Sequence, residues 1–268
     1  MPTGRYDCLV AQEKDTAGNS RAERLELFPA ATPNEAPILR QRLRVAPGAL
    51  HVPDWLSLDE QRDLIEHCRN WAKSPAPMRR TILPGGKTMS VQTVSLGWHW
   101  LPYRYSRLAE DVDGSPVDAF PDWLGDLGRR ALDATFDQET AAAYKPDCAL
   151  INYYDATAKM GLHQDKDERS DAPVVSLSIG DACLFRFGNT ETRTKPYTDV
   201  RLLSGDLFVF GGPSRFAYHG VPKIFPGTAP TELGMRNGRL NITLRVTGLA
   251  NEDTRRKSKP IPTKKRLP

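Results

Sequence analysis

Three features of the sequence predict an α+β fold, with helices first and an antiparallel β-sandwich or barrel after them. Two stretches before residue 140 carry apolar side chains at helical spacing. A succession of short β-rich segments follows Pro146. Gly, Pro, Asp and Asn punctuate those segments, as antiparallel strands joined by tight turns require.

Taken in order, the chain opens on a polar extension, residues 1–24, and Leu25, Leu27 and Phe28 are its first candidate anchors. Ser57-Leu58-Asp59-Glu60 reads as a capping box, in which the serine hydroxyl takes the backbone N–H three residues on and the glutamate reaches back. Leu64, Ile65, Cys68, Trp71 and Ala72 follow at helical spacing, so an amphipathic helix is predicted over 58–73. A second helix, over 121–136, gathers Leu124, Leu127, Ala131, Leu132 and Phe136 on one face, with Pro121 near its first turn. Between the helices, Pro84-Gly85-Gly86 marks a turn and 88–96 a strand, the one clear strand candidate of the first half. Beyond Pro146, strands are predicted over 148–154, 174–180, 183–188, 201–203, 206–211 and 239–246. No internal repeat is visible.

Composition sets the outer limits. At 268 residues, with 39% hydrophobic and 26% charged, the chain can bury a substantial core. No stretch approaches the roughly 18 consecutive apolar residues of a membrane span, and the first residues lack the apolar core and cleavage site of a secretory signal. Cys8, Cys68, Cys148 and Cys183 lie far apart without a CxxC pair, which argues against a cysteine zinc site or a disulfide framework and fits a reducing, cytoplasmic setting. The net charge of +4 and pI of 8.9 hint at an anionic partner. Much of that excess lies in 250–268, which holds seven Lys or Arg against two Asp or Glu and almost nothing apolar. The segment reads as a disordered basic tail: solvated charge, or added phosphate contacts.

His163-Gln164-Asp165 sets an imidazole and a carboxylate two residues apart, on one side of an extended segment. His219 lies far downstream, after a predicted strand and the Gly211-Gly212 pair. Two histidines and one carboxylate on one face of an octahedral iron leave three positions open for a co-substrate and dioxygen. By itself HxD is a weak signal, since a surface turn plus an unrelated histidine gives the same pattern. The chain has five histidines, and the other three, His51, His67 and His99, fall in the helical half.

The segment 239–246 adds weight. Strand alternation puts Leu240, Ile242, Leu244 and Val246 on one face and Arg239, Asn241, Thr243 and Arg245 on the other. The segment 148–154 alternates likewise, with Leu150, Asn152 and Tyr154 opposite Ala149, Ile151 and Tyr153. One such strand is ordinarily half-buried with its polar face in water. Two such faces inside one barrel would make a polar, cationic cavity. Guanidinium forks bind carboxylates through paired hydrogen bonds, so two arginines on one wall suit a dicarboxylate.

Several ordered blocks, ALINYYDATAKMGLHQDKDE (149–168), APVVSLSIG (172–180), LFRFG, SGDLFVFGGPSRFAYHGV (204–221), GRLNITLR (238–245) and PGGKTMSVQTVSLGW (84–98), resemble the AlkB family of Fe(II)- and 2-oxoglutarate-dependent dioxygenases, which repair alkylated nucleobases. The resemblance is greatest to the bacterial repair enzymes and fades before about Leu25 and after Gly248. It implies a double-stranded β-helix (jelly-roll) core with N-terminal flanking helices and a nucleotide-recognition lid. A single catalytic domain would span 25–249, with residues 80–145 including the recognition region. The resemblance also implies iron ligands His163, Asp165 and His219, a 2-oxoglutarate site of Asn152, Tyr154, Arg239, Asn241 and Arg245, and dioxygen as the second co-substrate.

For the substrate, the resemblance implies that Trp98 stacks beside an extruded base and Asp167 meets the base edge. Tyr103 and Tyr105 would contact the substrate backbone, although the spacing after Trp98 is two residues shorter than in the family, and Arg193 would approach from a loop whose length differs by one. Core or surface aromatics and a solvated turn carboxylate would look the same in sequence. The implied reaction is oxidative demethylation of 1-methyladenine and 3-methylcytosine in DNA, releasing formaldehyde. Lesions on the pairing edge are cheaper to extrude, so single-stranded DNA is the expected substrate, with duplex DNA and RNA as further candidates. The expected agent is a monomer with no membrane association. Two alternatives stay open: an oxygenase of this scaffold acting on RNA or a non-nucleic-acid substrate, and a catalytically silent nucleic-acid-binding module.

Overall fold

The computed structural model describes residues 40–249. The polar extension 1–24, the anchors Leu25, Leu27 and Phe28, Cys8 and the basic tail lie outside the described residues.

The capping box forms as the sequence predicts. Ser57 Oγ accepts from Glu60 N and the Glu60 carboxylate accepts from Ser57 N, and helix α1 runs Leu58–Trp71. Helix α2 is Asp122–Asp133, shorter than expected at both ends, with Pro121 as its N-cap. A third helix, α3 (Gln138–Ala143), is capped by Asp137 and was not foreseen, because six residues carry too little periodicity to read.

Two antiparallel sheets form the body. Seven strands make the larger one, in the order β1 (Leu43–Ala46), β2 (Ala49–Val52), β11 (Leu207–Phe210), β8 (Val174–Gly180), β13 (Arg239–Arg245), β6 (Cys148–Tyr154) and β3 (Gln92–Leu96). Four make the smaller: β10 (Thr198–Leu202), β9 (Ala182–Phe187), β12 (His219–Phe225) and β7 (Met160–His163). A separate hairpin pairs β4 (His99–Leu101) with β5 (Arg104–Ser106). The two main sheets are the double-stranded β-helix the resemblance implied. The first half is richer in strand than expected: β1, β2, β4 and β5 join β3 there, and His51 and His99 lie on strands. The hairpin β1–β2 turns at Gly48, whose φ is +77° and where a Cβ would lie 2.3 Å from Gly211 O.

The central strands of the larger sheet, β11, β8, β13 and β6, are buried on both faces, and strand alternation sorts their side chains. Leu207, Val209, Val175, Leu177, Leu240, Ile242 and Leu244 face the helices, where Leu64, Ile65, Leu124 and Leu132 cover them. Phe208 and Phe210 face the smaller sheet and meet Phe185 and Phe187 at ring separations of 4.8–5.6 Å. Full burial of each such ring or Leu stabilises by about 1.5–3 kcal/mol, so both layers hold the sheet. The phenylalanine cluster ends at His219, whose ring centroid is 4.9 Å from that of Phe210. Beyond it the space between the sheets is polar, and the candidate site lies there.

Candidate metal centre and co-substrate cavity

β12 and β7 pair so that His219 stands directly across from His163. The approach is close: a Cβ at Gly220 would lie 2.7 Å from Met160 O. Pro222 sits where the ladder of β12 with β9 shifts register, between Gly220 and Lys223, as a residue without an N–H must. Asp165 follows β7 on irregular backbone and turns its carboxylate back toward both rings. His163 Nε2 lies 3.6 Å from Asp165 Oδ1, and His219 Nε2 lies 3.7 Å from Oδ2. Those separations are too long for hydrogen bonds. One ligand atom from each of the three residues falls within 4.8 Å of the others.

The hydrogen bonding of this group suits a cation. His163 Nδ1 donates to Gly161 O and His219 Nδ1 to Ala217 O, each at 3.0 Å. A carbonyl can only accept, so the proton sits on Nδ1 and each Nε2 offers its lone pair to the centre. Burial, with the neighbouring His163, pushes His219 down to about 4, which keeps that ring neutral at physiological pH. For Asp165, burial opposes ionisation, but Arg245 and the two histidines outweigh it and hold the carboxyl at about 2. Arg245 Nη2 approaches Asp165 Oδ2 to 2.8 Å, off the line of a hydrogen bond, and Oδ2 is buried without a hydrogen-bond partner. An unfilled buried lone pair beside two free imidazole nitrogens is the donor set of an open octahedral iron site.

Next to it opens a cavity lined by Asn152, Tyr154, Arg239, Asn241, Thr243 and Arg245 among others. These are the polar faces of β6 and β13, which pair with Arg239 opposite Tyr154 and Asn241 opposite Asn152. Asn152 accepts from Thr93 Oγ1, and Asn241 donates to Ser176 Oγ, both at 2.8 Å. The two arginines differ. Arg245 is already engaged, by Asp165 and by Glu168 at 2.9 Å. Arg239 is 1% exposed and donates to Leu240 O and Ser178 Oγ. Its Nε, like that of Arg245, is unpartnered, but no carboxylate among the described residues pairs with Arg239. A buried guanidinium without a counter-ion is costly, and the carboxylate of a bound 2-oxoglutarate would supply one.

The expected substrate residues are more scattered. Trp98 is 5% exposed; its Nε1 donates to Asp147 Oδ2 at 3.0 Å, and the Arg107 guanidinium lies 3.7 Å from the ring centroid. Tyr103 is 70% exposed at the hairpin turn, with φ +68°. Tyr105 turns inward instead, and its hydroxyl donates to Glu168 and accepts from Arg245. Asp167 accepts from Trp100 Nε1 at 2.9 Å. Arg193 is exposed on the loop after β9, near the Tyr218 ring. Two residues at the heart of the network were not singled out from sequence. Glu168 bridges Arg245, Arg215 and Tyr105, and Arg215 is 2% exposed. Both lie inside the blocks that carry the resemblance, but sequence spacing cannot pair residues 47 apart.

Comparison with known proteins agrees with this geometry. Residues 48–245 match the model of the 2OG-Fe(II) oxygenase superfamily. The chain is 34% identical over 232 residues to the alpha-ketoglutarate-dependent dioxygenase AlkB of Escherichia coli, covering 84% of this chain and 98% of that one. It is 33% identical over 221 residues to the DNA N(6)-methyladenine demethylase ALKBH1D of Arabidopsis thaliana, covering 75% of this chain but 50% of that protein, so it spans about half of that relative's length. The solved structure of OsALKBH1 is similar with a TM-score of 0.68 at 32% identity, covering 76% of this chain and 99% of that one. Donor set, cavity and likeness together make this chain a member of the AlkB family within the 2OG-Fe(II) oxygenases, and an Fe(II)- and 2-oxoglutarate-dependent dioxygenase.

Proposed function

We propose that this protein demethylates N-alkylated bases in DNA, with 1-methyladenine and 3-methylcytosine in single strands as its substrates, in direct-reversal repair. The observation that carries the proposal is the juxtaposition of the His163–Asp165–His219 donor group with the buried, carboxylate-free Arg239. That pairing suits one metal and one dicarboxylate side by side. The nucleobase assignment draws on the family and on the activity named for the Arabidopsis relative.

In this reading His163, Asp165 and His219 hold ferrous iron. Arg239 takes one carboxylate of 2-oxoglutarate, while Asn152, Tyr154, Asn241 and Arg245 shape the rest of its site. When bound, iron with 2-oxoglutarate and dioxygen supplies the oxidising power that converts an N-methyl group to an N-hydroxymethyl group, with succinate and carbon dioxide as by-products. The hydroxymethyl group then leaves as formaldehyde and restores the base. The chain's own task is to position. The Nδ1–H bonds fix both imidazoles, and Arg245 keeps Asp165 ionised. The hairpin β4–β5, within the recognition region 80–145, carries Trp100, Tyr103 and Tyr105 over the site as a lid. Trp98 meets an extruded base only after the side chains covering it, Arg107 among them, shift aside. Residues 25–249 act as one catalytic domain, as a cytoplasmic monomer.

The test is turnover with iron(II), ascorbate and 2-oxoglutarate on single-stranded oligonucleotides bearing either lesion, read by mass. Loss of a methyl mass that requires both iron and 2-oxoglutarate is expected, and matched DNA and RNA strands rank the substrates. Succinate formation without demethylation would discard the nucleobase. Absence of both would leave a silent binding module.

A further inference from the structure

The two histidines of the donor group are held in place by the strand ladder, because His163 and His219 are cross-strand partners. Asp165 is not. It lies on irregular backbone beyond β7, and a segment without ladder bonds needs another restraint to hold a ligand to a fraction of an ångström. Four donations from one side chain supply it. Arg215, four residues before His219, donates through Nη1 to Asp165 O at 2.6 Å and through Nε to Ala172 O at 2.7 Å. Its Nη2 donates to Glu168 Oε2 at 3.2 Å and to Ser170 O at 3.5 Å. The guanidinium is thus fastened along the whole turn that carries Asp165. A second link runs the other way: Gln164, between the two ligands, donates to Phe216 O at 2.7 Å and Thr190 O at 3.0 Å.

We infer that Arg215 is a positioning residue for the metal centre, stapling the turn that carries Asp165 to the segment that delivers His219, with Gln164 as the reciprocal clasp. The inference rests on the metal-site reading above. Arg215 touches none of the reacting atoms. It acts by setting where the Asp165 backbone lies, and so whether the carboxylate meets both imidazoles at once. Lysine keeps the charge beside buried Glu168 but lacks the planar fork that spans several acceptors.

The experiment compares wild type, Arg215→Lys, Gln164→Leu and, as a control for lost stability alone, Leu124→Ala in the helix-side core. Each full-length protein is stripped of metal, melted, and titrated with Mn2+ by calorimetry and with Co2+ by visible absorption. Arg215→Lys should bind Mn2+ roughly 10–100-fold more weakly and give an altered Co2+ spectrum. Gln164→Leu should move both readouts the same way by a smaller factor, and Leu124→Ala should lose melting temperature yet bind both metals as wild type does. Wild-type affinity and spectrum in Arg215→Lys would overturn the inference, as would an equal loss in Leu124→Ala. Should Arg215→Lys fail to fold, Gln164→Leu decides on the same readouts. A wild-type protein that takes up neither metal would sink the metal-site reading itself, a result distinct from failure of the staple.

Discussion

Two buried aspartates, Asp206 and Asp165, both lie beside histidine, and both are held below the ordinary carboxylate range against the pull of burial. Asp206 is completed. It accepts from Arg40 Nη1 and Nη2, His51 Nε2, Leu203 N and Asp54 N, and ties β2 and its following turn to the start of β11. Asp165 is left open. Its Oδ2 has charged neighbours but no hydrogen bond, and its two histidines stand off at 3.6 and 3.7 Å. Burying an acceptor unfilled costs roughly 1–3 kcal/mol. A fold tolerates that where something else fills the gap, so hydrogen-bond completion, more than burial or charge, separates the structural aspartate from the functional one.

Removing each carboxylate in turn separates the two. Asp165→Ala should abolish turnover and weaken Mn2+ binding by more than the ~10–100-fold that an outer partner costs. Its melting temperature should stay within about 4 °C of wild type, because Arg245 keeps Glu168 as a partner. Retained Mn2+ affinity would remove Asp165 from the donor group. Asp206→Asn should do the reverse. Arg40 keeps Asp54 as a partner, but the loss of its buried carboxylate and of the His51 contact costs about 3–5 kcal/mol, read as a melting temperature lower by roughly 10 °C, while Mn2+ affinity stays at the wild-type value. A loss of metal binding there would mean the two aspartates are not separable.

Acid titration sharpens the same contrast. The folded pKa of Asp206 is depressed, since the His51 and Arg40 hydrogen bonds outweigh burial. Its contribution is therefore full above the ordinary value of 3.8 and is lost as pH falls through the lower folded value. Melting temperature should drop steeply below about pH 4 in wild type and more gently in Asp206→Asn. Parallel curves from pH 7 to 3 would show that other carboxylates dominate the acid limb.

Legibility divides along similar lines. The faces of β6 and β13 are readable because alternation is a local rule; that Asn152, Tyr154, Arg239, Asn241 and Arg245 share one cavity wall depends on the two strands pairing, which alternation alone does not give. Helix α1 was readable from its capping box. β12 was hidden because Pro222 interrupts it, and β7 because four residues with a glycine give no period. The partners of Glu168 and Arg215 were not legible at all: which guanidinium meets which carboxylate depends on how distant strands stack. Nor does sequence distinguish Arg239 from Arg245, though only the first lacks a carboxylate among the described residues.

Arg239→Gln removes the one cavity guanidinium without a carboxylate partner, and losing one side of a buried ion pair costs about 2–5 kcal/mol. The 2-oxoglutarate concentration for half-maximal succinate formation should rise at least ~30-fold, with Mn2+ affinity unchanged. Arg245→Gln should instead disturb Mn2+ binding as well, since its guanidinium faces Asp165. Identical profiles for the two variants would erase the distinction drawn between them.

The smallest effect lies at the edge of the site. Trp100→Phe keeps an aromatic ring on β4 but deletes the Nε1 hydrogen bond to Asp167, leaving that carboxylate free to swing. If Asp167 meets the base edge, losing its support weakens substrate binding by about 1 kcal/mol, which is roughly fivefold in KM for a methylated oligonucleotide. The 2-oxoglutarate requirement and Mn2+ affinity should not move, because neither Trp100 nor Asp167 lines the cavity beside the donor group. Asp167→Asn should then show at least the same rise, and the double variant no more than Asp167→Asn alone, since the tryptophan acts only through the carboxylate. Additive losses would place Trp100 in direct contact with the nucleic acid and make the hairpin itself the recognition surface.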